Sequence, residues 1–151
     1  DNVIKTHPDG TVWVHSGDIG HMDEDGFVYI KGRIKRMITL FNGHKIFPTH
    51  IESVLGGHPL VRSCAVVGVK DTGHAQGQLT LAVVETDVVE IEKRTALKNE
   101  LYEMCRQELE GSAKPYDICF VRSMPHTGMG KIDYKKLADD YDGKLDKTEA
   151  V

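Results

Sequence analysis

No stretch of this chain stays apolar for the roughly 20 residues that a membrane-spanning helix needs, so no transmembrane segment is expected. Cysteine is scarce. Cys64, Cys105 and Cys119 are odd in number and far apart, which excludes a disulfide framework and any zinc-type spacing. Their apolar surroundings predict buried, reduced thiols in a cytoplasmic protein. Positive charge is not in surplus: 19 Lys and Arg stand against 23 Asp and Glu, a net charge of −4. The clustered basic surface of a nucleic-acid binder is therefore missing. The eight histidines contain no HExxH pattern and no tight sequence pair, and no metal site is expected. The opening residues, DNVIKTHPDG, lack the apolar core of a secretory leader. They begin on Asp1 rather than Met, as expected of a processed or cut piece.

What is present suits one core of 151 residues, with 40% hydrophobic and 28% charged side chains. Residues 3–31 read as short strands at Val3-Ile4, Val12–Val14 and Phe27–Ile30, separated by the turn signals Pro8-Asp9-Gly10 and Asp23–Gly26. The character changes after Gly32. Residues 37–40 and 44–47 flank Asn42-Gly43, the dipeptide of a type I′ hairpin. Pro48 opens a helix carrying Ile51, Val54 and Leu55 on one face, and Gly56-Gly57 stops it. The apolar runs 61–69 and 79–86 predict buried strands. Leu97, Leu101, Met104, Cys105 and Leu109 predict an amphipathic helix over 92–110, closed by Gly111 and Pro115. A strand over 116–122 follows, and Asp133 caps a last short helix through Leu137. From about residue 33 this is an α+β domain, with no internal repeat and no low-complexity stretch.

Three segments carry candidate chemistry, and each has two readings when taken alone. In Ser16-Gly17-Asp18, Asp18 either bonds its own backbone in a turn or accepts the vicinal hydroxyls of a ribose. In Gly32-Arg33-Ile34-Lys35-Arg36, the cations are either a solvated face or include, in Arg33, a grip on phosphate or ribose, since guanidinium matches oxyanions. Pro125-His126-Thr127-Gly128-Met129-Gly130-Lys131 is either a surface loop or a flexible loop presenting an ammonium to a polyanion. It is not a Walker loop, because one residue separates its glycines and Ile132 follows the lysine.

Together these segments resemble the ANL superfamily of adenylate-forming enzymes, which includes acyl-CoA synthetases, peptide-synthetase adenylation domains and luciferases. The resemblance runs from Trp13 to about Leu137. It rests on SGD at 16–18, GRIK at 32–35, GHKI at 43–46 and PHTGMGK at 125–131, in the family's order. The helix containing Ile51-Glu52, the segment CAVVGVKD and Lys114-Pro115 match as well. The implied fold is the small C-terminal lobe of these enzymes, a short hairpin plus a three-stranded sheet flanked by helices. A β-rich remnant of the large N-terminal lobe (1–32) would precede the mobile lobe (33–140), and a charged tail (141–151) would fray from Asp142.

The resemblance also implies roles. Asp18 would accept hydrogen bonds from the ATP ribose, and Arg33 would hold ribose and phosphate. Lys35 would be the hinge. Lys131 would reach the substrate carboxylate and the α-phosphate. After adenylation the lobe would turn, bringing Gly43 and Lys45 to the pantetheine channel. ATP with Mg2+ and CoA would be co-substrates, none of them tightly bound here, and magnesium would arrive with ATP. A small carboxylic acid would be the other substrate, with CoA or a carrier-protein pantetheine as acceptor.

Departures from the family pattern are few. Ser16 replaces Thr, Lys45 stands where Arg is common, and Phe47 occupies a helix-capping position at a cost of about 1 kcal/mol unless its ring packs. The larger departure is that the phosphate loop and acyl pocket of the large lobe are not among these residues. That lobe is the expected partner in cis, and residues 1–32 are expected to be poorly packed, rearranged or self-associating. The leading expectation is a fragment of an acid:CoA ligase, inactive alone. The alternatives are a carrier-protein-loading enzyme and a non-catalytic single-lobe module.

Overall fold

The chain opens with two antiparallel hairpins, β1 (Ile4–Thr6) with β2 (Val12–Val14), and β3 (Asp18–Met22) with β4 (Val28–Arg33). They belong to a computed structural model that describes residues 3–70 and 77–144. A single 3-10 turn, Ile34–Arg36, leads to a third small hairpin of β5 (Ile38–Thr39) and β6 (Lys45–Ile46). Helix α1 (Pro48–Gly56), β7 (Ser63–Lys70), β8 (Gln78–Glu85), α2 (Ile91–Glu108), β9 (Asp117–Val121) and α3 (Tyr134–Tyr141) follow. The strand β3 was not expected from sequence. Its Asp18-Ile-Gly-His-Met has too little β-branched content to announce a strand, and it exists because β4 pairs with it.

Period-two alternation builds the core around the sheet β7-β8-β9, in which β7 and β8 are antiparallel and β8 and β9 parallel. Val66, Ala82, Val84 and Ile118 face one layer, made by α1, α2 and the β5–β6 hairpin. Ala65, Val67, Val69, Leu81, Val83 and Cys119 face the other, closed by Met124 and Leu137. The expected stripe of α2 is buried at Leu97, Leu101 and Cys105, with Met104 at its margin. Pro48 is the first residue of α1, and Phe47 caps it without a side-chain hydrogen bond. The lost cap is offset by packing: the Phe47 ring lies so close to Gly32 that a Cβ there would meet it at 3.1 Å. Helix α3 runs a full turn past Leu137, because Asp133 caps it and Tyr141 packs on the second layer. Asp142, where fraying was expected to begin, accepts the Lys70 N–H at 2.7 Å, and the rest of the tail lies outside the described residues.

The first two hairpins differ in kind. Val12, Trp13, Val14, Met22, Phe27, Val28 and Ile30 are each at least half exposed, so these strands pair without a core of their own. Their apolar side chains are poorly packed within this chain, although both hairpins are formed.

One turn recurs four times. His7, Asp23, Leu40 and Thr127 each accept a hydrogen bond from the N–H three residues on and donate to the carbonyl four residues on. In each case the fourth residue is a glycine with positive φ: Gly10, Gly26, Gly43 and Gly130. This is a type I turn closed by a G1 bulge. The type I′ turn expected at Asn42-Gly43 is therefore corrected. Asn42 keeps a negative φ, and its Oδ1 accepts the His44 N–H instead.

Candidate active site

Asp18 and Arg33 meet as an ion pair, with Arg33 Nε 3.0 Å from Asp18 Oδ1. A β-bulge brings them together. Gly20 faces Ile30 but Ile19 faces Gly32, so Lys31 is the extra residue and Arg33, rather than Gly32, stands opposite Asp18. The bulge needs glycine: a Cβ on Gly20 would lie 2.4 Å from the Tyr29 carbonyl oxygen. Asp18 does not bond its own backbone. That turn is made by Ser16, whose Oγ accepts the Asp18 N–H at 3.3 Å, with Gly17 at φ +79. The hydroxyl that Ser shares with Thr is thus the part in use. Arg33 remains two-thirds exposed, so the pair is worth little as stability and is open to exchange for a ligand. Beside it lies a cleft of about 560 Å³ lined by Lys5, His15, Ser16, Gly17, Arg33 and Lys35, a wall rich in positive charge and donors.

Lys35 is exposed in the middle of the 3-10 turn. The turn is flanked by extended residues, Arg33 at ψ 136 and Met37 at ψ 126, and is closed by one weak hydrogen bond, Met37 N–H to the Ile34 carbonyl at 3.2 Å. A short element between two extended residues can absorb a dihedral change without breaking a ladder.

Lys131 was expected on a flexible loop, and here the structure corrects the sequence. Residues 125–133 form a closed hairpin: Thr127 N–H bonds the Lys131 carbonyl at 2.7 Å, and Asp133 N–H bonds the Pro125 carbonyl at 2.8 Å. Both ends are fastened. The Met124 N–H donates to Glu85 Oε2 at 3.1 Å and its side chain is buried, while Asp133 caps α3 through the Lys136 N–H. Lys131 itself is exposed and makes no ion pair among the described residues. Two glycines at 128 and 130 suggest slackness in sequence; the second only satisfies the bulge.

Gly43 and Lys45 are exposed on the β5–β6 hairpin. A Cβ at Gly43 would meet nothing within 4 Å, so positive φ alone requires glycine there within this chain. The hairpin is fixed from behind. Leu40 bridges to Gln78, and Gly77 approaches Phe41 so closely that a Cβ would lie 2.3 Å from its Cα. Asp18, Arg33 and Lys35 thus share one corner, while Lys131 and Gly43 stand on two separate hairpins.

Other groups have no evident part in this chemistry. Burial pushes the Cys64 thiol up to about 12 and those of Cys105 and Cys119 to about 11, which makes them inert. His7 and His15 form a spatial pair, with Nε2 atoms 3.4 Å apart and rings stacked. Among the described residues no group of three or more metal-ligating side chains forms. Sequence reasoning named Arg36 only within a run of cations and Glu52 only as a neighbour of Ile51; it did not find that the two pair, nor that Glu85 fastens the Met124 N–H.

Residues 50–131 match the family described as AMP-binding enzyme C-terminal domain. The chain is 38% identical over 147 residues to a long-chain-fatty-acid--CoA ligase of Salmonella typhimurium, covering 97% of this chain and 24% of that protein. Among solved structures, a Mycobacterium tuberculosis fatty acyl CoA synthetase superposes with a TM-score of 0.66 at 32% identity, covering 90% of this chain and 25% of the other. The o-succinylbenzoate CoA synthetase of Bacillus subtilis, in complex with its acyl-adenylate intermediate, gives 0.71 at 26% identity, covering 93% and 27%. The chain therefore spans about a quarter of the length of the relatives it matches.

Proposed function

The chain belongs to the AMP-binding enzyme C-terminal domain family of the adenylate-forming enzymes, and on that footing we propose that it is the mobile lobe of an ATP-dependent carboxylic acid:CoA ligase. In the first step a carboxylate oxygen attacks the α-phosphorus of ATP, the bond to pyrophosphate breaks, and an acyl adenylate forms. Lys131 supplies a fixed positive charge to the attacking carboxylate and the α-phosphate as the negative charge redistributes. Asp18 accepts the ribose hydroxyls and Arg33 reaches ribose and phosphate, their mutual ion pair loosening as the ligand enters. The lobe then turns about Lys35. The Gly43 hairpin, with Lys45 beside it, lines the path of a pantetheine whose thiolate attacks the acyl carbonyl and releases AMP.

Residues 1–32 are proposed to be the last strands of the large lobe and 33–140 the lobe that turns. The exposed apolar side chains of the first two hairpins support this, since strands of that composition are built to be covered. The names of the curated relatives favour CoA over a carrier protein as acceptor. No helix among the described residues is long and apolar enough to cross a membrane.

One observation carries the proposal: Lys131 is exposed on a hairpin fastened at both ends, with no acidic side chain neutralising it among the described residues. The test is Lys131→Ala in the full-length ligase. Pyrophosphate release is expected to fall by about a hundredfold or more, while thioester formation from supplied acyl adenylate changes little. Undiminished pyrophosphate release would refute the assignment. The 151-residue chain alone is expected to release none above background.

A further inference from the structure

Arg36, next to the proposed hinge residue, is the most connected cation in the described chain. Its guanidinium makes a bidentate pair with Glu52 of α1, Nη1 to Oε2 at 3.1 Å and Nη2 to Oε1 at 2.5 Å. It lies 3.8 Å from the centroid of the Tyr134 ring, at the first residue of α3. The pair also completes an unfinished sheet edge. Strand β7 is the outer strand of its sheet, and there Glu52 Oε1 accepts the Val66 N–H at 2.8 Å while Arg36 Nη2 points at the Val66 carbonyl at 3.4 Å. A donor and an acceptor from two side chains thus stand where a neighbouring strand would have been. Both side chains are mostly buried, at 23% and 14% exposure, so the contacts are less screened than those of a surface pair.

These contacts link the 3-10 turn of Lys35 to α1, to β7 and to the segment that follows Lys131. Tyr134 is three residues beyond Lys131, and Asp133 closes the base of the Lys131 hairpin. We infer that Arg36 is a positioning residue: it fastens the hinge turn to the start of α3, so that rotation at Lys35 carries the Lys131 hairpin as one rigid body. Without it the hinge and the lysine are joined only through the sheet, and slack between them spreads the ammonium over several positions. This inference rests on the roles proposed above for Lys35 and Lys131. Displacing a charged group by about 1 Å can cost on the order of a hundredfold in rate, so a fixed link has a kinetic purpose.

Two measurements test it separately from that reading. In the 151-residue chain, Arg36→Lys and Tyr134→Leu are each expected to speed amide exchange at Thr127, Gly130, Asp133 and the first turn of α3 by about tenfold, leaving α2 and β8 unchanged. Tyr134→Phe keeps the ring under the guanidinium and is expected to exchange like the parent. The double variant should exceed neither single one, because both cut the same link. Faster exchange at Val66 alone, with the hairpin unchanged, would overturn the inference and leave Arg36 as a sheet-edge patch. Exchange that rises throughout the chain would overturn it too.

In the full-length ligase, Arg36→Lys is expected to slow adenylation by about tenfold, with thioester formation from supplied adenylate unchanged. If Lys131→Ala abolishes adenylation and Arg36→Lys leaves it intact, the inference fails and the function stands. If Lys131→Ala leaves adenylation intact, the proposed function fails, and the exchange data still decide whether the link exists.

Discussion

The first 33 residues and the remainder of the chain are made from the same kinds of side chain and put them to opposite use. Val12, Val14, Val28 and Ile30 are each more than 60% exposed, whereas Val66, Val69, Val83 and Val84 are at most 1% exposed. Both regions contain an antiparallel pair closed by the same glycine turn, β1–β2 and β3–β4 in the first and β5–β6 in the second. Only the second has helices to cover its sheet. β-Pairing needs only backbone and a turn, but stability needs a second layer, and a two-stranded ribbon without one is marginal. Among the described residues the early hairpins meet the later body at Gly32 against the Phe47 ring, at Ile34 N–H to the Gly17 carbonyl, and at Thr49 Oγ1 to the Lys31 carbonyl.

The contrast can be broken most directly at the core. Leu101→Ala or Ile51→Ala should cost about 2–5 kcal/mol in urea unfolding, whereas Val14→Ala or Ile30→Ala should stay within about 0.5 kcal/mol. Equal costs would mean that the early hairpins share the core's cooperativity. Next in size, Glu52→Gln removes the carboxylate that joins Arg36 to Val66, and a loss of about 2 kcal/mol is expected by the same method.

The repeated turn gives a finer comparison. Each of Gly10, Gly26, Gly43 and Gly130 has positive φ and open space where a Cβ would go, so alanine costs about 1 kcal/mol of local strain at all four. Global stability should register that cost for Gly43→Ala and Gly130→Ala only, because the other two turns lie outside the cooperative body. The remaining comparison is a pH slope. The three thiols are raised in the folded chain above their ordinary value of 9.0, to about 12 for Cys64. The folded state then holds protons that the unfolded state gives up above pH 9, so stability is full below pH 9 and falls as pH rises toward 12. Cys64→Ala should flatten the fall seen in denaturant titrations at pH 8 to 11.

Much of the fold was legible because its causes are local. Pro48 and Asp133 mark helix starts through their own backbone chemistry. Alternation over 63–70 and 78–85 announces buried strands. The glycines at 10, 26, 43 and 130 mark their turns. Two turn readings went astray for a similar reason. Asn42-Gly43 suits a type I′ turn, yet the bulged form leaves Asn42 at negative φ with its side chain bonded to His44. Gly128 and Gly130 suggested slackness, and hydrogen bonds across the hairpin removed it.

By itself the sequence determined where the helices and, β3 apart, most of the strands begin, and which faces are apolar. These depend on neighbours a few residues apart, and such information is written along the chain. Only the tertiary structure decided that a bulge at Lys31 sets Arg33 against Asp18, that His7 meets His15, and that Arg36 clasps Glu52 beneath Tyr134. Arg36 and Tyr134 are 98 positions apart. Their meeting depends on how α1, β7 and α3 pack around one sheet, which no local pattern encodes.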